Sequence, residues 1–224
     1  MSETDSFIEE VTEEVRRDQL FGYLKKYGWI AVVVVVGAVG TTAFLEWQKA
    51  QKSAAAQNLG DLFLAATEQP DAAARAKTLE AVAAEAGDAQ VLVELRRAAE
   101  LAASGDNAAA LAVLDQVVAN APNALYRDLA TLKALMLRGK DMDQAARTQA
   151  LAGLAQPGQV FRPLAMEQQA IMAMETGDTD KALTVLTEVF LDSQATSALR
   201  GRAQQMIVAL GGEVPASPEL QLGQ

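Results

Sequence analysis

The chain has 224 residues, half of them hydrophobic, and a formal net charge of −10. This length suits one domain of ordinary size with appendages, and the acidity disfavours a nucleic-acid partner because a phosphate backbone would be repelled. The chain has no cysteine and no histidine. That absence excludes thiol nucleophiles, disulfides, thiolate or imidazole metal sites and the usual general base near neutral pH. We therefore expect no catalytic activity, no cofactor and no metal site.

Residues 1–26 form an acidic leader with seven acidic and four basic residues. A cleavable signal peptide normally has a short basic leader and an apolar stretch of about 7 to 15 residues, and this leader fits that pattern poorly. We interpret it as a helical, cytoplasmic segment in front of a permanent anchor. Cleavage stays open as an alternative, since Thr41 and Ala43 form a small-residue pair that a peptidase accepts.

Residues 27–45 are 19 consecutive uncharged residues. As a helix rising about 1.5 Å per residue, they span roughly the 30 Å hydrocarbon core of a bilayer. Trp29 and Trp47 lie at the two ends, where amphipathic rings prefer the membrane interface. The pattern predicts a single transmembrane helix over residues 27–46. A buried helix of a soluble protein is the remaining alternative.

Basic residues near the ends of a span set its orientation, because cytoplasmic flanks are enriched in lysine and arginine. Four precede the apolar segment (Arg16, Arg17, Lys25 and Lys26) and two follow it (Lys49 and Lys52). This bias predicts a cytoplasmic N-terminus and places residues 47–224 outside the cytoplasm.

Residues 47–211 are rich in helix-forming residues, with turn signals at short intervals. The stretches "GDNAAALAVLDQVV" from Gly105 and "GDTDKALTVLTEVF" from Gly177 match each other. Four aspartates, Asp71, Asp106, Asp141 and Asp178, recur at spacings of 35, 35 and 37 residues. A period of this size is typical of a helix-turn-helix solenoid. We predict an all-α solenoid over residues 47–211 and a disordered tail over residues 212–224.

These residues resemble the tetratricopeptide repeat, in which glycine and aspartate form the turn and small residues sit where helices cross. The second unit carries Ala98, Gly105, Asp106, Ala110, Leu114 and Pro122; the third carries Asp141, Ala145, Ala152 and Pro157; the fourth carries Ala170, Gly177, Asp178, Ala182 and Leu186. The first unit, about residues 54–87, matches weakly. The glycine is expected to end one helix, the aspartate to cap the next, and a last helix near residues 196–210 to close the stack.

Two sets of charged residues are candidate sites. The acidic pairs Asp141 with Asp143 and Asp178 with Asp180 suit a hard cation, but they lie at repeat turns, where acids cap helices, and we expect caps. The basic residues Arg96, Arg97, Arg127 and Lys133 lie on first helices, which line the concave groove in the tetratricopeptide family. They are candidate partner-binding residues, with a solvated face as the alternative.

The order of parts, from "RRDQLFGYLKKYGW" through the last repeat, resembles the YfgM-like ancillary subunit family of the bacterial Sec translocon. The resemblance implies a single-pass protein of the bacterial inner membrane with a periplasmic repeat domain. It also implies association with the translocon and with a membrane-bound folding factor, in support of newly exported proteins.

The residues by themselves indicate a membrane-tethered protein–protein interaction module without catalysis. Two rivals remain. One is a repeat scaffold for envelope assembly, in cell division or cytochrome maturation, and the other is an envelope enzyme that uses carboxylates.

Overall fold

The computed structural model describes residues 3–216, with the side chains of residues 25, 26, 28–30 and 33–216. Within that part of the chain the regular structure is helical, without strands, which confirms the all-α prediction. The α-helices are α1 (Glu3–Thr67), α2 (Ala72–Glu85), α3 (Gln90–Ala103), α4 (Asn107–Asn120), α5 (Ala124–Arg138), α6 (Gln144–Leu154), α7 (Arg162–Glu175), α8 (Thr179–Leu191) and α9 (Ser197–Ala209). The chain divides into two compact units, Met1–Gly60 and Asp61–Gln224.

The first unit contains residues 3–60 of α1, a helix that is continuous through the predicted leader and the predicted span. From Val33 to Trp47 its large apolar side chains are 55–64% exposed. Two hydroxyls of the span bond back to helix carbonyls, Thr41 to Gly37 at 2.7 Å and Thr42 to Val39 at 2.9 Å. Such bonds satisfy polar groups that lipid could not. By length and composition α1 is able to cross a membrane.

In the compact unit Asp61–Gln224, which contains the repeats, glycines determine where the turns form. Gly105 and Gly177 have φ of 87° and 77°, a left-handed conformation that glycine adopts without a steric penalty. After α3, the amide of Asp106 donates to the carbonyl of Leu101 at 2.9 Å, and the corresponding bond after α7 joins Asp178 to Ala173 at 2.9 Å. Both helices therefore end in the turn predicted from the sequence, which satisfies their last carbonyls.

Four helices of the unit Asp61–Gln224 begin with an aspartate cap. Asp71, Asp106 and Asp178 accept a hydrogen bond from the backbone amide three residues later, as predicted. In the third repeat the cap is Asp143, which accepts a hydrogen bond from the backbone amide of Ala146 at 2.9 Å. Asp141 instead ends the short 3-10 helix Gly139–Asp141. The prediction that Asp141 is the equivalent of Asp106 was wrong by two residues, because the 3-10 turn lengthens this connection.

Counting from the caps gives the repeat register. Eight residues after each cap comes a buried leucine, in the order Leu79, Leu114, Leu151 and Leu186. In this register the predicted third-repeat position Ala145 lies two residues after its cap, so it is not the equivalent of Ala110, and it is exposed; Ala152 lies nine residues after the cap and is half-buried.

Four residues after each cap, the residue type alternates between arginine and alanine. Ala110 and Ala182 are fully buried where helices cross, and Arg75 and Arg147 hold the same position in the other two units. Arg75 bonds Glu100 at 2.8 Å, and Arg147 pairs with Glu175. α6 packs against α5 less closely than α4 packs against α3, but arginine at this position does not by itself loosen the packing, since α2, which carries Arg75, packs closely against α3.

The two ends of the solenoid differ. At the C-terminal end α9 closes the stack as predicted, with Thr196 as its cap and Leu199, Ala203 and Ile207 in the core. Val214 packs against that core, and residues 217–224 lie outside the described residues, so disorder of the tail stays a prediction. At the N-terminal end residues 54–58 of the weakly matching first unit are exposed.

Candidate partner-binding groove

Two neighbouring depressions share the side chain of Met136. One has a volume of about 360 Å³ and is lined by residues of α3, α4 and α5: Ala98, Ala99, Ala102, Leu114, Lys133, Met136 and Leu137. The other has a volume of about 680 Å³ and is lined by residues of α5, α7 and α9: Met136, Glu167, Gln168, Ile171, Arg202, Gln205, Met206 and Ala209. Together they form one surface, which we call the α3–α9 groove.

The sequence places small residues where these helices meet. Ala98, Ala134 and Ala170 recur at intervals of 36 residues and are buried on α3, α5 and α7. Small side chains let neighbouring helices approach closely, which brings equivalent faces of the repeats onto one side of the solenoid. Met136, two residues after Ala134, is left 53% exposed in the middle of the groove.

One ion pair joins two of the helices that line the groove. Arg202 on α9 donates from Nε and Nη2 to the two carboxylate oxygens of Glu167 on α7, at 2.7 and 2.8 Å. The Glu167 side chain is 6% exposed and that of Arg202 is 50% exposed. This two-pronged geometry is the strong form of a charged hydrogen bond.

The hydrogen bonds that Arg202 donates to Glu167 raise the pKa of Arg202 above its ordinary value. A raised pKa means that the pairing contributes its full stability below the unfolded-state value and loses it only as pH rises through the folded-state value. The pair is therefore insensitive to Arg202 titration across the physiological range.

The structure does not bring the four predicted cations together. Arg97 pairs with Glu80 on α2 at 2.9 Å and with Glu94 at 3.3 Å, and Arg96 pairs with Glu100 at 2.5 Å. Both arginines are thus occupied by carboxylates of α2 and α3. Their role in partner binding stays a prediction.

The remaining two cations lie on α5 in different places. Arg127 lines a separate depression of about 350 Å³ with Asp128, Thr131 and other residues. Lys133 lines the α3–α9 groove, and within the described residues it has no ion pair. Of the four candidates, Lys133 is the one that lies in this groove.

Sequence reasoning missed the apolar residues of the groove, above all Met136, Ile171 and Met206. The 36-residue alanine spacing does not find them, because the residues two positions after the other two alanines, Glu100 and Met172, do not line the groove. The pairing of Glu167 with Arg202 had one signal, their separation of 35 residues, which is close to the repeat period.

The acidic pairs are accounted for locally. Asp143 and Asp178 cap helices, and Asp180 lies in the first turn of α8, where a negative charge favours the helix N-terminus. In the part of the chain that the structure describes, no group of three acidic residues is placed to hold a metal ion.

The two predicted anchor ends, Trp29 and Trp47, are both exposed on α1. They are 18 residues apart, a rise of about 27 Å in a helix, close to the hydrocarbon thickness of a bilayer. The ring of Trp47 lies beside that of Phe44, with centroids 6.2 Å apart.

Comparison with known families agrees with this architecture. The family model described as a tetratricopeptide repeat-like domain matches residues 22–206, a range that contains both the apolar segment and the repeats. No curated protein and no solved structure matches the chain. Repeats of this class typically serve as non-enzymatic scaffolds that bind other proteins. The chain belongs to the tetratricopeptide repeat-like domain family.

Proposed function

We propose that this protein is a membrane-anchored interaction module whose α3–α9 groove binds protein partners. The observation that carries the proposal is the groove itself, a concave and mainly apolar surface with Met136 exposed at its centre. Exposed apolar surface of this kind marks protein-interaction sites, since a soluble domain otherwise keeps such surface scattered. Tethering raises the local concentration of the groove near partners at the membrane.

The anchor is α1, with a cytoplasmic N-terminus and the repeats on the periplasmic side of a bacterial inner membrane. Supporting observations are the exposed apolar side chains of the span, the excess of basic residues before it, and a family match that begins ahead of it, at residue 22. Because the family model covers the apolar segment together with the repeats, it supports an anchor that is retained rather than a leader that is cleaved.

Protease protection in spheroplasts tests this orientation. An epitope at each end of the full chain is followed after protease is added outside the cell membrane. We expect loss of the C-terminal epitope and protection of the N-terminal one. The reverse pattern would place the repeats in the cytoplasm and overturn the periplasmic assignment.

The partner that the family resemblance supports is the Sec translocon, with a membrane-bound folding factor and exported proteins as further contacts. The test is affinity purification of the full chain in mild detergent, comparing the wild type with Met136→Glu. Met174→Glu is the matched control, because Met174 is also exposed but does not line the groove. Sec components should be enriched with the wild type and the control and depleted with Met136→Glu. Enrichment of cell-division or cytochrome-maturation proteins instead would favour the scaffold alternative.

The module acts by binding and has no catalytic role. Asp141, Asp143, Asp178 and Asp180 are the carboxylates on which an envelope enzyme would depend. Replacing Asp141 or Asp180 by Asn leaves the caps at Asp143 and Asp178 in place, and the variants should function in the cell like the wild type. A variant that folds normally but behaves like a deletion of the gene would support the enzyme alternative.

A further inference from the structure

We propose that the occupant of the α3–α9 groove is an amphipathic helix of a partner protein. Its apolar stripe lies on Met136, and carboxylates beside the stripe meet Lys133 and Arg202. This inference rests on the proposed function and specifies the kind of segment that the groove binds.

The groove suits a helix better than an extended peptide because it offers few hydrogen-bonding groups. Its lining is mainly alanine, leucine, isoleucine and methionine, and Gln205 is its one exposed amide side chain. An extended segment would leave its own backbone amides and carbonyls without partners on such a surface. A helix satisfies these groups internally and needs only an apolar contact.

The side chains of the groove also suit a helix. Met136 and Met206 supply flexible apolar surface that adapts to a partner, and the small side chains of Ala99, Ala102 and Ala209 complete the lining. A partner helix of 18 residues is about 27 Å long and presents an apolar stripe of about five turns.

The charged residues of the groove favour a partner segment that carries negative charge. Glu167 is the single carboxylate in the lining, and it is buried and occupied by Arg202. Lys133 is exposed, and the pairing with Glu167 leaves Nη1 of Arg202 unused. The groove is therefore locally positive in a chain whose net charge is −10. Carboxylates that are repelled by the rest of the protein are attracted here.

The test uses the full chain in nanodiscs of uncharged lipid and three fluorescent peptides of 18 residues. The first is an amphipathic helix with glutamates beside its apolar stripe, the second replaces these glutamates with lysines, and the third adds two central prolines to the glutamate version. Binding is measured by fluorescence anisotropy with empty nanodiscs as background. We expect the glutamate helix to bind roughly tenfold more tightly than either of the other two.

Two variants on α5 locate the charge effect. Lys133→Glu places a carboxylate in the groove and should weaken binding of the glutamate helix roughly fivefold or more. Arg127→Glu makes the same charge change on an exposed residue of the same helix, outside the groove, and should change the affinity less than twofold.

Several results would overturn the inference: equal binding of the three peptides, preference for the lysine or proline version, or equal effects of the two variants. One further comparison separates this inference from the function on which it rests. If none of the peptides binds but a photo-crosslinker at position 136 captures Sec components, the helical occupant is wrong and the interaction role stands. If both fail, the groove is not the partner site.

Discussion

Val34 in α1 and Val208 in α9 are almost equally exposed, at 63% and 61%. Their surroundings differ. Val34 lies in a run of exposed apolar side chains that extends along α1, and Val208 has the polar residues Gln204 and Gln205 one turn before it. A single exposed valine is ordinary on a protein surface, whereas a continuous exposed apolar run indicates contact with lipid or protein. Contiguity, rather than exposure, therefore distinguishes the apolar run of α1, which is able to cross a membrane, from an isolated exposed residue on the repeats.

The largest expected effect comes from charging the run. Each arginine near the centre of a span costs about 2.5–3.5 kcal/mol, so Val34→Arg with Val36→Arg should cost roughly 5–7 kcal/mol and release the protein from membranes. The measurement is the membrane-bound fraction after carbonate extraction. Val208→Arg is the matched control and should leave that fraction unchanged. Equal release by the control would mean that the contrast between the two valines is not one of environment.

The second effect breaks the packed region instead. Leu186 is fully buried on α8 and Leu191, on the same helix, is exposed. Leu186→Ala should lower the unfolding free energy of the repeats by about 2–5 kcal/mol, through lost burial and a cavity. Leu191→Ala should change it by less than about 0.5 kcal/mol. Denaturant unfolding in detergent measures both, and similar losses would contradict the assigned core. Membrane retention should be unaffected by either substitution.

The smallest effect sharpens the repeat register. Asp143→Ala removes the cap of α6 and should cost about 1 kcal/mol, while Asp141→Ala removes no cap and should cost far less. Thermal unfolding of the two variants at matched pH distinguishes them. A larger loss from Asp141→Ala would restore the register in which Asp141 is the equivalent of Asp106.

Local interactions explain why much of the fold was predictable. A cap depends on an aspartate and an amide three residues later, and a helix end depends on one glycine, so Asp106, Gly105 and Gly177 could be assigned from short stretches. The predicted register was wrong in the third repeat because Asp141 and Asp143 are both able to cap a helix. Only the buried leucine eight residues further on, Leu151, decides between them.

The candidate site was less predictable because it depends on which way side chains of separate repeats face. Lys133 and Arg127 are both basic residues of α5, six residues apart, yet they line different depressions. The partner of Arg97 is Glu80, on the preceding helix, and no local pattern pairs them. Ion pairs between helices are fixed by packing, which a single sequence does not reveal.

The most direct test of the account is photo-crosslinking from the groove in native membranes. In one variant of the full chain the photo-crosslinking residue benzoyl-phenylalanine replaces Met136. In a second variant it replaces Arg127, which lies on the same helix but outside the groove. We expect discrete crosslinks from position 136 to a small set of Sec components or exported proteins, identified by mass spectrometry, and few from position 127. Crosslinks of equal yield from the two positions, or none from position 136, would contradict the claim that this groove is the partner-binding surface.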